Sequence, residues 1–322
     1  MMLTGTRCGS LVGMPQSATR TLPILTALVL CFLASSLLEH AVCQAQQTGT
    51  ARRLFAADYQ RKLAAVVEAD NQVSWQKVIR DIHDAQLLAD GGWLLQTNFF
   101  EVVEWDAAGN EVWRYDAGQT ESGARVEIHA FRRLENGQTM IAESGTSRIL
   151  IVNRDGSVEK TIPLQVEQPD PHRDTRLVRP TPAGTFLVAH ESQKKVCEYN
   201  DQGQIVWQYD VGSQVYSAIR LANGNTLIGT GDGQRVIEVT PAGDMAWELT
   251  SADLPGVKLA WITMVDRLPN GNTWVVNCHA GPDQPQLLEV TPDKKIVWSF
   301  RDFERFGNSL PVAFPLESAG VR

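Results

Sequence analysis

The chain has 322 residues, 43% of them hydrophobic and 20% charged, with a formal net charge of -8. That length suits one large domain or two ordinary ones. The acidic balance, without a basic stripe or polybasic run, excludes a phosphate-backbone binder and an electrostatic hold on an anionic membrane surface, so no nucleic-acid partner is expected.

Residues 1–45 differ from the rest. Arg7 and Arg20 precede an apolar run at 22–38, LPILTALVLCFLASSLL, and the small residues Ala41, Cys43 and Ala45 follow. This reads as a secretory signal peptide with a long n-region, cut near Ala45. The alternative is an uncleaved anchor, because the run sits at the lower edge of what spans a bilayer. Residues 46–322 are expected to form a single domain. The protein is expected to be exported, periplasmic or extracellular, with the membrane as a partner only if residues 22–38 stay attached. Beyond this segment the cysteines are Cys197 and Cys278. They fall in different repeats and are expected as buried free thiols; no CxxC or Cys/His spacing occurs, so no metal site is expected.

From residue 53 a pattern recurs. Residues 185–207, TFLVAHESQKKVCEYNDQGQIVW, reappear in altered form at 53–75, 93–113, 139–160, 226–247 and 273–298. Each unit begins with a strand ending in a Gly-containing turn, as in HAFRRLENGQ (129–138) or YSAIRLANGN (216–225). Asn-Gly and Asp-Gly are strong hairpin signals, read here as turns with positive φ at both residues. A second strand (TMIA, TFLVA, TLIG, TWVV), a third (VVEWD, ILIVN, VCEYN, VIEVT) and a fourth ending in Trp (EVW, QIVW, DMAW, KIVW) follow, with short or alternating apolar runs throughout. The residues after the first turn, Trp93, Thr139, Thr185, Thr226 and Thr273, are spaced by 46, 46, 41 and 47. Four antiparallel strands in a unit of about 40–47 residues mark a β-propeller blade.

The ends set the blade count. Residues 53–75 supply only second, third and fourth strands, and 308–320, NSLPVAFPLESAG, resemble a first strand that then stops. The expected architecture is therefore all-β: a six-bladed propeller of four-stranded antiparallel blades, closed by one C-terminal strand pairing with three N-terminal strands. Closure removes the exposed sheet edges. The recurrent Trp is read as packing between blades. Lys160 replaces it once, and that interface is expected to be the weakest packed.

First strands line the channel of a propeller, so site candidates are sought there. One column holds His83, His129, Thr175, Tyr216 and Thr263, and beside it stand Asp84, Ala130, Arg176, Ser217 and Met264. Imidazoles at equivalent places in adjacent blades can act as acid, base or nucleophile. His83 and His129 are the catalytic candidates. Asp84, Arg176, Tyr216, Thr263, His190 and His279 are the ligand-binding candidates, with Arg176 as an anion clamp. The plainer reading of each histidine is a structural or solvating one, in a wet channel or, for His190 and His279, in an exposed loop. Glu127, two residues before His129, can share its strand face. His172 lies in a polar loop, QPDPHRDTR (168–176), that can wall the site. A further column, Arg133, Arg179, Arg220 and Arg267, broken by Leu87, recurs with the turn and is read as capping it or pairing with acidic neighbours. GTGDGQ (229–234) precedes no helix and is a turn, not a nucleotide loop.

The segments DAAGNEVWRYD (106–116), NDQGQIVWQYD (200–210) and RLANGNTLI (220–228) resemble the propellers grouped with pyrroloquinoline-quinone-like repeats, and also bacterial arylsulfotransferases. The latter resemblance implies channel histidines, one accepting a sulfuryl group. His83-Asp84 before LLADG and His129 before RLENG match that pattern; RLPNGNT (267–273) matches the turn, with Thr263 where a histidine would stand. Neither vicinal cysteines nor a calcium-ligand cluster is evident, so no cofactor is expected. The reading is an exported binding or scaffold propeller that takes a small molecule or protein at its channel mouth. The alternative is an arylsulfotransferase-like enzyme working through His83 or His129.

Overall fold

The short apolar runs pair as antiparallel strands, and in the computed structural model these strands build six sheets among the described residues, 46–318 except 121, 122 and 124. The segment read as signal or anchor lies outside the described residues. The sheets are the blades of a six-bladed propeller. Blade 1 joins Val312–Pro315, Leu54–Asp58, Leu63–Val67 and Val73–Val78, so one C-terminal strand does pair with three N-terminal ones. The inner strands of blades 2 to 6 are Ala85–Leu87, Glu127–Arg133, Val178–Pro180, Ser217–Arg220 and Trp261–Arg267. Blade 6 carries an addition that periodicity did not announce. Gln46–Thr48 pairs with its outer strand Ile296–Arg301 and makes that sheet five-stranded.

Burial follows the apolar pattern. Second strands such as Phe186–His190 are buried throughout, because both faces meet neighbouring blades. Outer strands such as Ile205–Asp210 alternate half-buried and exposed positions, as a rim strand with one wet face does.

The first turns differ from expectation in type. Leu134 N–H donates to Gln138 O at 2.8 Å and Gly137 N–H to Leu134 O at 2.9 Å, which closes a three-residue loop. The same pair of bonds recurs around Gly91, Gly224 and Gly271. Only the glycine takes positive φ, 84° at Gly137. This is a type I turn followed by a left-handed residue. The preceding Asn earns its place differently from the sequence reading: Asn136 Oδ1 accepts from Gln138 N–H at 3.1 Å, an Asx bond that mimics a backbone turn.

The arginine column clasps neighbouring blades. Arg220 pairs with Glu198 of the preceding blade, donates to Gly224 O at 3.2 Å and lies 4.7 Å over the Trp207 ring. Arg133 does the same with Glu104 and Trp113, and Arg267 with Glu238 and Trp247. Cys197 and Cys278 are buried free thiols. Among the described residues no helix is long and apolar enough to cross a membrane.

Candidate functional site

Inner strands all begin at the same end of the channel, where second-to-third-strand turns and blade-to-blade connections also lie. The polar residues at those beginnings therefore converge. His83 and His129 have ring centroids 4.5 Å apart, and His172 lies 5.7 and 5.4 Å from them. Phe99 stacks on His83 at 5.0 Å. It comes from the turn of blade 2, TNFFE, where an exposed-looking Phe pair is the only sequence hint. Tyr216 and Arg176 complete the far side: Tyr216 Oη is 2.6 Å from His83 Nδ1, and Arg176 Nη1 is 3.1 Å from His83 Nε2.

Two local devices put these groups in place. The ladder between Glu127–Arg133 and Thr139–Ser144 slips between Ala142 and Glu143, so His129 is the extra residue of a β-bulge. Bulges re-aim side chains, and here Glu127 and His129 meet at 2.9 Å. The loop carrying His172 is pinned by Asp174, whose carboxylate accepts from Ser144 Oγ at 2.5 Å, Gly145 N–H at 2.8 Å and Ser147 Oγ at 3.1 Å. Asp170 then caps His172 N–H at 2.8 Å, and the ring lands with Nδ1 2.8 Å from Glu127 Oε2.

Donor and acceptor roles follow from chemistry. Arg176 only donates, so His83 Nε2 accepts, and His83 is a neutral ring whose Nδ1–H faces Tyr216 Oη. Burial, with His129 and Arg176 nearby, holds His83 well below the usual histidine range. Arg176 also pairs with buried Glu191. His129 stands between two acceptors, Thr175 O at 2.7 Å from Nδ1 and Glu127 at Nε2. Burial pushes His129 down to about 4, yet both neighbours call for a hydrogen on the ring. Burial raises Glu127, but bonds from His129 and His172 outweigh it and bring the carboxyl down to about 2. We take Glu127 as the ionised member, because its three cationic or donor neighbours include Arg125, whose Nη2 lies 2.5 Å from Oε1.

The cluster is closed inside and open at one edge. Side-chain exposure is 0% for His129 and 6% for Arg176, but 45% for His172 and 53% for Arg125. Arg125 also borders a surface groove of about 580 Å³ lined by Arg80, Asn98, Phe100 and Asp116, and stands 5.1 Å over the Phe100 ring. The three histidines offer ligand atoms within 4.8 Å of one another. Residue spacing pointed to no such group, since His83, His129 and His172 come from different blades and a loop.

The other sequence candidates are placed as follows. Asp84 is buried deeper, held by Arg132 at 2.8 Å and Arg179 at 2.9 Å. Thr263 is buried on a bulged inner strand, its carbonyl accepting from Ser217 Oγ. His190 bonds Asp174 O at 2.9 Å and Tyr199 Oη at 2.8 Å, and makes no ring contact with the histidine cluster. His279 is exposed, with Nε2 3.0 Å from Tyr59 Oη. Phe99, Arg125 and Tyr59 were not singled out in the sequence, because their turns and loops carry no periodic signal.

Fold and repeat together define a six-bladed β-propeller, part of which is similar to pyrroloquinoline-quinone-like repeats. The family profile described as outer membrane protein assembly factor BamB matches residues 165–282. A protein of unknown function from Bacteroides caccae superposes with a TM-score of 0.72 at 22% identity, covering 82% of this chain and 98% of that one. A streptogramin B lyase superposes with a TM-score of 0.58 at 9% identity, covering 84% and 97%. A catalytically inactive virginiamycin B lyase from Staphylococcus aureus, with quinupristin, gives 0.55 at 10% identity, covering 79% and 87%. At these identities the likeness is one of fold. No curated protein matches the chain.

Proposed function

We propose that this propeller is an exported binding protein that takes a small anionic ligand at the channel mouth, in and beside the groove bordered by Arg125. The observation that carries this reading is the division of the cluster. Its interior histidines and Arg176 are fully partnered, while the half-exposed members are a histidine and an arginine, both able to receive an anion. Phe100 supplies an apolar face in the same groove, which favours an anion carried on a flat ring.

Titration calorimetry with aryl carboxylates, aryl phosphates and aryl sulfates tests this. Binding is expected to weaken about tenfold in Arg125→Ala, the loss of one charge-assisted hydrogen bond of about 1.4 kcal/mol. Absence of binding across the panel, or binding indifferent to Arg125→Ala, overturns the reading. Export is tested by fractionating cells that express the full chain.

The alternative, sulfuryl transfer through His83 or His129, needs a free ring nitrogen on one of them, and each has two protein partners. The lyases of similar fold are enzymes, which keeps the assay worthwhile. Turnover of an aryl sulfate that is lost in His83→Ala and His129→Ala would replace the binding reading with the enzymatic one.

A further inference from the structure

Glu127 Oε2 is approached by two imidazole nitrogens, His129 Nε2 at 2.9 Å and His172 Nδ1 at 2.8 Å. Behind His129, its Nδ1 bonds the carbonyl of Thr175 at 2.7 Å. A ring whose outer nitrogen is fixed by a backbone carbonyl while its inner nitrogen meets a carboxylate is oriented as metal-ligating histidines are. Glu127 Oε1 is held by Arg125 at 2.5 Å, which leaves Oε2 for the shared point. We propose that Glu127, His129 and His172 form a binding site for a divalent transition-metal ion, held between Glu127 Oε2, His129 Nε2 and His172 Nδ1. This deepens the reading of the channel mouth as a ligand site, because the ion would offer the anion a coordination position.

The donor set selects the class of ion. Two imidazoles and a carboxylate, without thiolate, suit Zn²⁺, Co²⁺, Ni²⁺ or Mn²⁺; Ca²⁺ and Mg²⁺ prefer oxygen donors. Bonds of about 2.0–2.1 Å in a tetrahedron put donors roughly 3.3 Å apart, so the present separations from Glu127 already fit without a large movement. Three protein ligands leave a position open, and it would lie on the side where His172 is 45% exposed. His83 is left out of the set: its Nε2 lone pair takes Arg176, and a guanidinium next to a cation opposes a fourth bond there. The Arg176 charge is itself met by Glu191, so it does not bar the site.

The test uses the full protein stripped with EDTA and dialysed, then titrated with Co²⁺ and, separately, Zn²⁺. One Co²⁺ per chain is expected, with visible d–d absorption that Zn²⁺ removes. Glu127→Gln and His172→Ala are each expected to weaken Zn²⁺ binding by ~100-fold or more. His279→Ala, an exposed histidine outside the set, is expected to bind as wild type does. His172 is half-exposed and Gln is isosteric with Glu, so both variants should keep the wild-type melting profile, which is checked alongside. No uptake by wild type, or uptake that survives both substitutions, overturns the proposal. Anion binding measured in the presence of EDTA separates this from the ligand reading: anion binding that persists without metal leaves that reading standing when the metal fails, and Zn²⁺ uptake without anion binding leaves the metal site standing.

Discussion

His190 carries its hydrogen on Nδ1, toward Asp174 O, and accepts from Tyr199 Oη at Nε2, an arrangement only the neutral ring can make. Burial brings it down to about 4. The unfolded chain protonates this group near pH 6.5 while the folded chain does not, so its contribution is complete above about pH 6.5 and is lost as pH falls toward 4. The loss amounts to at most about 3 kcal/mol, from the difference between 6.5 and 4 at 1.36 kcal/mol per pH unit. His83 adds to the same acid sensitivity, since burial moves it in the same direction. His190→Leu is expected to cost about 2–4 kcal/mol at pH 7, through the stranded carbonyl and phenol, and less at pH 5. Melts of wild type and variant at both pH values check this; an equal gap at pH 7 and pH 5 would show that His190 is not the acid-sensitive group. At this scale the sequence placed His83, His129 and Tyr216 on one column with Arg176 beside it, and in the structure these side chains meet. The sequence had no means of placing His172 on Glu127, because that contact depends on the path of a loop pinned by Asp174.

Between elements, the clasp of Arg, Glu and Trp shows how the interfaces vary together. Where Leu87 replaces the arginine, Val66 replaces the glutamate, and Leu87 packs with Trp75 in an apolar version of the same joint. Where Lys160 replaces the tryptophan, Ile151 replaces the glutamate, and Arg179 turns instead to Asp84 in the channel. Ile151, Ile162, Phe186 and Tyr199 share one buried cluster there, with Ile205 packed against it, and Lys160 itself pairs with Asp201. At the seam, Arg52 from the N-terminal segment pairs with Glu289 and supplies the arginine that Val312–Pro315 lacks. Arg220→Ala is expected to cost about 2 kcal/mol, since it leaves Glu198 half-buried without its partner and removes the cation over Trp207. Adding Glu198→Ala should return about 1 kcal/mol of that in chemical denaturation, as contacting partners are not additive. Strictly additive losses would show that the two side chains do not act as a pair. The arginine column was visible in the sequence; its partners, 22 to 29 residues away in the preceding blade, required the ring.

Across the whole molecule, stability rests on closure. Val312–Pro315 covers the edge of Leu54–Asp58, Ala313 O accepts from Trp274 Nε1 at 2.9 Å, and Phe314 stacks on Phe55 at 5.1 Å. Without that strand, blade 1 would expose an apolar edge to solvent and to other chains. Truncation after Gly307 is therefore expected to abolish the cooperative melt and yield aggregates. Starting the chain at residue 50 removes the added fifth strand Gln46–Thr48 together with residues 1–45, and should leave a folded monomer of lower melting temperature. Gel filtration and circular dichroism check both, and a monomeric, cooperatively folded C-terminal truncation would show that the seam does not hold the ring.

By itself the sequence determined the strand pattern, the number of blades and the residues that close them. Those properties are local or repeat at a fixed interval, and alternation, turn residues and incomplete end copies express them directly. The tertiary structure decided the rest: the left-handed glycine of each first turn, the fifth strand Gln46–Thr48, the turning of Arg179 to Asp84, and the meeting of Glu127, His129 and His172. Each of these depends on which distant segments closure of the ring brings into contact, or on backbone geometry that several sequences share, and neither leaves a period to read.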